Sequence, residues 1–416
     1  MNKWQWALQL VTRRMWFRAA LFCLFAIMLA LASPVIGRAI PYEFAARIGA
    51  QSVDNILNVL ASSMLAVTTF SLTAMVSAYS GATSNITPRA VQLLVEDSTA
   101  QNALATFLGS FLFAIVGIIA LSTGFYGDSG RVILFGGTIL VIANIVITFL
   151  RWIEHITRFG RVNDTIDRVE NAALKAARTI GCPPQFGPRS TFAVPAEAER
   201  IHLERIGRVT HVDVKALRAV AEDLGAEIVL KALPGAMTGP SRVAAWTRAA
   251  LNPGQEERVK AAFTTAHDRA FDYDPRFGLV VLSEIASRAL SPAVNDPGTA
   301  ISVLESATRV LAAIVALDPS EDGASKDSEK GTVTVPPLHF VDLLEDVFRP
   351  IARDGAGVIE VAIRLQKSLA ALADTAPAAL ADCSAAAGDA LARALDSMRS
   401  ESDRSAIAEV HRRYWA

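Results

Sequence analysis

Charge and cysteine are what this sequence has least of. Only 19% of its 416 residues are charged, against 52% hydrophobic, and mean hydropathy is +0.33. That balance excludes one ordinary soluble globule and leaves room for a membrane part plus one or two soluble domains. The three cysteines, Cys23, Cys182 and Cys383, are odd in number and far apart. They make no CxxC metal spacing and no disulfide framework, and Cys23, inside an apolar run, is a small packing residue. The formal net charge of −1 draws the chain to no nucleic acid. Walker A, HExxH and GxSxG motifs and glycine-rich phosphate cradles are missing too. No enzyme class is therefore expected, and no cofactor or metal. A carboxylate site at Asp272, Asp274 and Asp296 is the one candidate an enzyme reading would have.

What is present first is a series of uncharged runs. Ala19 to Pro34 follows Arg13, Arg14 and Arg18. A basic start before an apolar run also fits a cleaved signal peptide. Continuation to Ile36, an interfacial rim at Trp16 and Phe17, and three further apolar runs favour a membrane span. Spans are expected at about 18–36, 56–80, 103–122 and 132–150. Ala105 with Gly109, and Gly117, give the third run small notches for a neighbouring helix, and Asn144 in the fourth suits a bond across helices. Gly124 to Gly130 is a tight loop, and Pro88 opens a short amphipathic helix or connecting turn before Ser98.

The second run has no charge between Asp54 and Arg89 but many hydroxyls. Ser62, Thr69, Thr73, Ser77, Ser80 and Ser84 recur at spacings of three, four or seven and share one helical face. Two uses fit such a stripe: close packing of helices through small polar residues, or the wet lining of a pore. No ionisable group lies on it to select a charge sign or relay a proton.

Lys and Arg cluster at Lys3, Arg13, Arg14 and Arg18 and again at Arg151, Arg158, Arg161 and Arg168, whereas the loop between spans three and four offers only Arg131. Both termini are thus expected to be cytoplasmic, which needs an even number of spans. Arg38 and Arg47, outside on this reading, run against it.

The expected fold class is an α-helical bundle of about four transmembrane helices followed by a cytosolic α+β region. The transmembrane domain takes residues 1–152 and a connecting helix and loop takes 153–200. A small strand–helix–strand–strand module takes 201–250, and a mainly helical domain takes 251–416, with a flexible, Ser- and Asp-rich loop at 318–337. In the module, strands are read at Gly207–Val212, Glu227–Lys231 and Val243–Trp246. Asp213 caps a helix that Gly225 ends. Such modules bind small ligands or pair with copies of themselves. His202 and His211 lack a partner carboxylate pattern and read as ordinary surface or core residues. Glu256 to Thr265 reads as helix.

The cytosolic half is organised around Asp272 to Leu304. His267, Asp268, Arg269, Asp272, Asp274 and Arg276 crowd the entry to an apolar helix, Phe277 to Leu290. Ser291–Pro292 stops that helix. Asn295 and Asp296 turn the chain, with Asp296 as N-cap and Pro297 at the first helical position of the next helix. A structural corner accounts for this pattern. A competing reading has Asp272, Asp274, Asn295 and Asp296 converge on a hard cation, with Arg269, Arg288 and Ser291 nearby, although the spacing matches no calcium loop.

SRALSPAVNDPGTAI, Ser287 to Ile301, closely resembles the signature of the bacterial predicted-membrane-protein family catalogued as domain of unknown function 2254. So does Ser62 to Gly117, and Arg269, Asp274, Phe277 and Gly278 resemble that family's approach to the signature. The resemblance extends from the first span to about Leu372. It implies an integral inner-membrane protein with a cytosolic region and brings no catalytic residues. Where the family tends to carry a glycine–acid–aromatic turn after the second strand, this chain has Gly235-Ala236-Met237, so no ligand role for that turn carries over.

Function is read at two levels. The first reading is an oligomeric channel- or transporter-like protein with a cytosolic sensing or gating domain, its partners being the lipid bilayer, further copies of itself and an unspecified small ligand or ion. The second is a membrane-anchored scaffold or signalling module without transport.

Overall fold

The computed structural model describes residues 50–123, 128–180, 184–187, 193–317 and 332–415, together with helical positions among 17–28. Of the span expected at 18–36, positions 20, 21, 24, 25, 27 and 28 are helical and the remainder lies outside the described residues. Cys23, Cys182, the turn at 124–127 and most of the loop expected at 318–337 lie outside them too.

The chain forms two compact units. One holds the apolar helices up to Ser84 and from Val91 to Arg161. Its described helices are α1 (Ala50–Asn85), the C-terminal part of α2 (Pro88–Val95), α3 (Ser98–Ser122) and α4 (Asp128–Ile156). Asp97 caps α3 by accepting from the Ala100 amide at 2.7 Å. The buried Ala105 and Gly109 supply the notch their spacing implies. A methyl added at Gly117 would stand 3.0 Å from Leu57 and 3.6 Å from Leu134, so glycine lets helices α1 and α4 approach α3. Helix α4 begins at Asp128 and runs past Leu150 to Ile156, longer at both ends than its expected span. It breaks at residues 157–161, where Gly160 takes φ +78° and lies against Ala78.

The other unit contains residues Asn85–Ala90 and everything from Val162 onward. Its strands are β1 (Glu199–His202), β2 (Gly207–Val212), β3 (Ile228–Leu230), β4 (Met237–Thr238), β5 (Val243–Thr247), β6 (Phe263–Ala266) and β7 (Val333–Thr334). They form two sheets, ordered β1-β5-β3-β7 and β4-β2-β6. All pairs are antiparallel except β3 with β7. Helices α6 (Val214–Leu224) and α7 (Pro253–Ala261) complete this part. Asp213 caps α6, and Gly225 ends it at φ +60°. Ile201, Val209, Leu217, Ile228, Leu230 and Phe263 share one core. The module is thus larger than four elements: β1, β6 and β7 fall where loop or helix was expected.

The helical part of this unit is α5 (Val162–Ile180), α8 (Pro275–Ala289), α9 (Pro297–Val315), α10 (Phe340–Asp354), α11 (Ile359–Thr375), α12 (Leu380–Ser397) and α13 (Glu401–Trp415). Helix α8 is central, packing against α5, α9 and α10. Gly278 permits the first of these contacts, since a methyl there would stand 2.5 Å from the Ala173 Cβ. Ion pairs join these helices further: Arg276 of α8 with Asp342 and Asp346 of α10, Arg309 of α9 with Glu170 of α5 and Arg364 of α11 with Glu305 of α9.

Four described helical stretches are long and apolar enough to cross a membrane: Ser52–Thr83, Ser98–Ser122, Val132–Ile156 and Pro297–Val315. The fourth is α9, which qualifies by composition alone. It buries Ala300, Val303, Leu304, Ala307, Val310 and Leu311 in the α+β unit, and its mid-helix Glu305 and Arg309 are paired. Those are the marks of a core helix, since unmatched charges in hydrocarbon are costly.

Candidate functional site

Helix α8 carries polar features at its start, middle and end. At its start, Asp274 is 3% exposed and caps the helix by accepting from the Phe277 amide at 3.1 Å. The Arg269 guanidinium lies on the same carboxylate at 2.7 and 2.8 Å, and over the Phe277 ring at 4.9 Å. Burial pushes the Asp274 carboxyl above its usual range, against the pull of Arg269 and the Phe277 amide. The turn at Gly235, φ +89°, closes over this pair. A methyl on Gly235 would fall 2.1 Å from Asp274 Oδ2. The Gly235-Ala236-Met237 turn is therefore a lid of backbone on a buried ion pair, and Arg208 fixes it by donating to the Gly235 carbonyl at 3.0 Å.

At the far end, Asp296 caps α9, accepting from the Thr299 amide at 3.1 Å and the Thr299 hydroxyl at 2.6 Å. Those two bonds hold its carboxyl below the usual range. Asn295 is exposed and takes φ +51°, a left-handed position that asparagine tolerates. Its amide donates to the Ser291 carbonyl at 2.9 Å, and the Ser291 hydroxyl donates to the Arg288 carbonyl at 2.7 Å. This is a helix–helix corner. The convergent cation site is corrected here: Asp272 and Asp274 precede the 15-residue α8, and Asn295 and Asp296 follow it, roughly 22 Å away at 1.5 Å per residue. Among the described residues no cluster of three His, Cys, Asp or Glu side chains could hold a metal ion.

The middle of α8 holds a feature the sequence reading passed over. Glu284 is the single carboxylate in the apolar run, and it reaches the segment between α1 and α2. Its Oε2 accepts from the Thr87 hydroxyl at 3.0 Å, and its Oε1 pairs with the Arg89 guanidinium. Ile86 and Thr87 are buried beside it, at 1% and 6% exposure, and Ala90 at 0%. A six-residue stretch joining two helices of the apolar unit is thus built into the α+β unit. The available signal was one acid among apolar neighbours, without any hint of a partner 195 residues earlier.

Within the apolar unit, Ser62, Thr69, Thr73, Ser77 and Ser80 are all exposed. The face of α1 that packs within this unit is made instead by Val53, Leu57, Leu60, Met64 and Met75. Ser62, Thr69 and Thr73 donate their hydroxyls to backbone carbonyls one turn back, at 3.0, 2.9 and 2.9 Å. Such bonds leave the helix self-satisfied in an apolar medium. A second unforeseen pair joins the helix ends: His155 Nε2 lies 3.0 Å from Asp97 Oδ1, beside Trp152 and Phe159.

The sequence pattern of a family described as "Predicted membrane protein (DUF2254)" matches residues 12–371. The chain belongs to the DUF2254 family. Uncharacterized proteins of Mycobacterium bovis and Mycobacterium tuberculosis are 26% identical to this DUF2254 chain over 242 residues, 54% of this chain and 45% of each relative. It spans less than half the length of those curated relatives. No solved structure matches it. The DUF2254 region includes the stripe, residues 85–90 and all of α8 and α9, and it ends before α12 and α13.

Proposed function

We propose that this DUF2254 protein is an oligomeric, channel- or transporter-like protein of the bacterial inner membrane, with both termini cytoplasmic and a cytosolic α+β domain that senses and gates. It performs no catalytic turnover in this reading. One observation carries it: residues 85–90 join two apolar-unit helices yet are buried in the α+β unit and bonded to Glu284 on its central helix. A domain displayed on a passive anchor needs no such graft, whereas a domain that moves membrane helices does. The outward hydroxyl stripe supports the oligomeric part, because it offers a polar face that is exposed among the described residues of one chain.

The test is flux through reconstituted vesicles loaded with potassium, sodium or chloride, alongside the detergent-corrected mass of the complex. A closed ring of several copies is expected, with flux lost in the triple variant Thr69→Leu, Thr73→Leu, Ser77→Leu and altered in Glu284→Arg. A monomer, or flux indifferent to both variants, would overturn the reading in favour of an anchored scaffold.

A further inference from the structure

Helix α12 is rich in alanine, and beside α10 it offers Ala385 and Ala386. Helix α10 brings Leu344 and Phe348 to the same place, each 2% exposed, and α11 adds Leu365 at 1%. Two methyl groups are too short to fill the space between these helices, and an open cavity of about 280 Å³ remains. Packed proteins ordinarily close such gaps. Polar pins on both walls oppose closure here. The buried Gln366 of α11 donates to the Ala387 carbonyl at 2.9 Å and fixes α12. Asp382, at the start of α12, accepts from the Gly187 amide at 3.1 Å. Helix α10 is held in turn to α8 by the Arg276 pairs with Asp342 and Asp346.

The mouth of this cavity is acidic. Glu345 of α10 and Asp382 and Asp389 of α12 line it, and Arg349 is the one cation lining it among the described residues. Arg349 stands 3.8 Å from Glu345, with 61% of its side chain exposed. Asp389 pairs with Arg393, one turn further along its own helix. Carboxylates thus outnumber guanidinium groups around an apolar floor. We propose that the cavity binds a small amphiphilic cation, an ammonium group carried on a compact apolar body. The body covers Leu344, Phe348 and Leu365, as ligands do in concave apolar sites with a few polar groups. The ammonium stays at the mouth, beside the carboxylates and still partly in water, so no unpaired charge is buried. Small-molecule sites begin at about 300 Å³, so the apolar body is a single ring or a short branched chain. The inference goes beyond the transport reading and stands without it.

Titration calorimetry of the full-length protein in non-ionic detergent tests it, with empty micelles as the reference. Benzyltrimethylammonium, benzyl alcohol and phenylmethanesulfonate serve as cationic, neutral and anionic probes. Saturable binding of the cation is expected, about tenfold or more tighter than that of either other probe, and weakening as salt rises. Glu345→Gln combined with Asp389→Asn should weaken the cation about tenfold and leave benzyl alcohol unchanged. Ala385→Phe, at an exposed position, should fill the cavity and abolish binding of the cation with the melting temperature kept. Should that variant fail to fold, Ala386→Leu is expected to do the same. Equal affinity for the cation and benzyl alcohol would overturn the inference and leave an apolar site for a lipid tail. So would cation binding indifferent to the Gln and Asn substitutions or to the cavity-filling ones, or no saturable binding of the cation.

Discussion

Gly235 and Asp296 bound what single residues do here. At Gly235 a positive φ and the closeness of Asp274 combine. Gly235→Ala must pay backbone strain of about 1–3 kcal/mol and also displace a buried carboxylate. It should lower the unfolding free energy by roughly 3 kcal/mol or more, read from denaturant midpoints of the purified protein. Asp296→Ala loses only a cap and should cost about 1 kcal/mol by the same measurement. The two residues also differ in how openly the sequence displays them. Asp296 sits between Asn295 and Pro297, a local pattern in which every residue has a backbone task, and its role could be read directly. Gly235 looks like any turn glycine, because the atoms that demand it, Asp274 and Arg269, are more than thirty residues away in the chain.

Among elements, legibility follows periodicity. The apolar helices α1, α3 and α4 announce themselves by length, and α6, α8 and α9 by their caps. Strands β1, β6 and β7 are two to four residues long and exist through pairing with distant segments, so no local alternation marks them. Helix α1 shows a subtler limit. Its hydroxyl spacing revealed that one face is special but not which way that face points. Ser71 lies on the inward side at 0% exposure, two residues from the exposed Thr73. Ser71→Leu should therefore overpack the bundle by about 1–3 kcal/mol, whereas Thr73→Leu should leave the melting temperature of the detergent-solubilised protein nearly unchanged. Equal effects of the two substitutions would mean that α1 is rotated from the orientation described.

For the whole molecule the decisive feature is the stretch 85–90. A fragment beginning at Val162 lacks Ile86 and Ala90, and with them the cover for the surface that buries them. That fragment should unfold at lower denaturant than the same fragment supplied with residues 85–90 as a fused peptide, and Glu284→Arg should erase the difference. Composition gave no warning of this arrangement, because it depends on a contact between distant parts of the chain.

The same contact sets an order of assembly. Thr87 leaves the ribosome 197 residues before Glu284, a lag of roughly 10–40 s at ordinary rates of synthesis. Helix α1 has that interval to enter the lipid before its docking surface exists. The α+β unit therefore matures last, closing around a peptide already anchored in the bilayer, and a chain that stalls between the two events leaves Glu284 without Thr87 and Arg89.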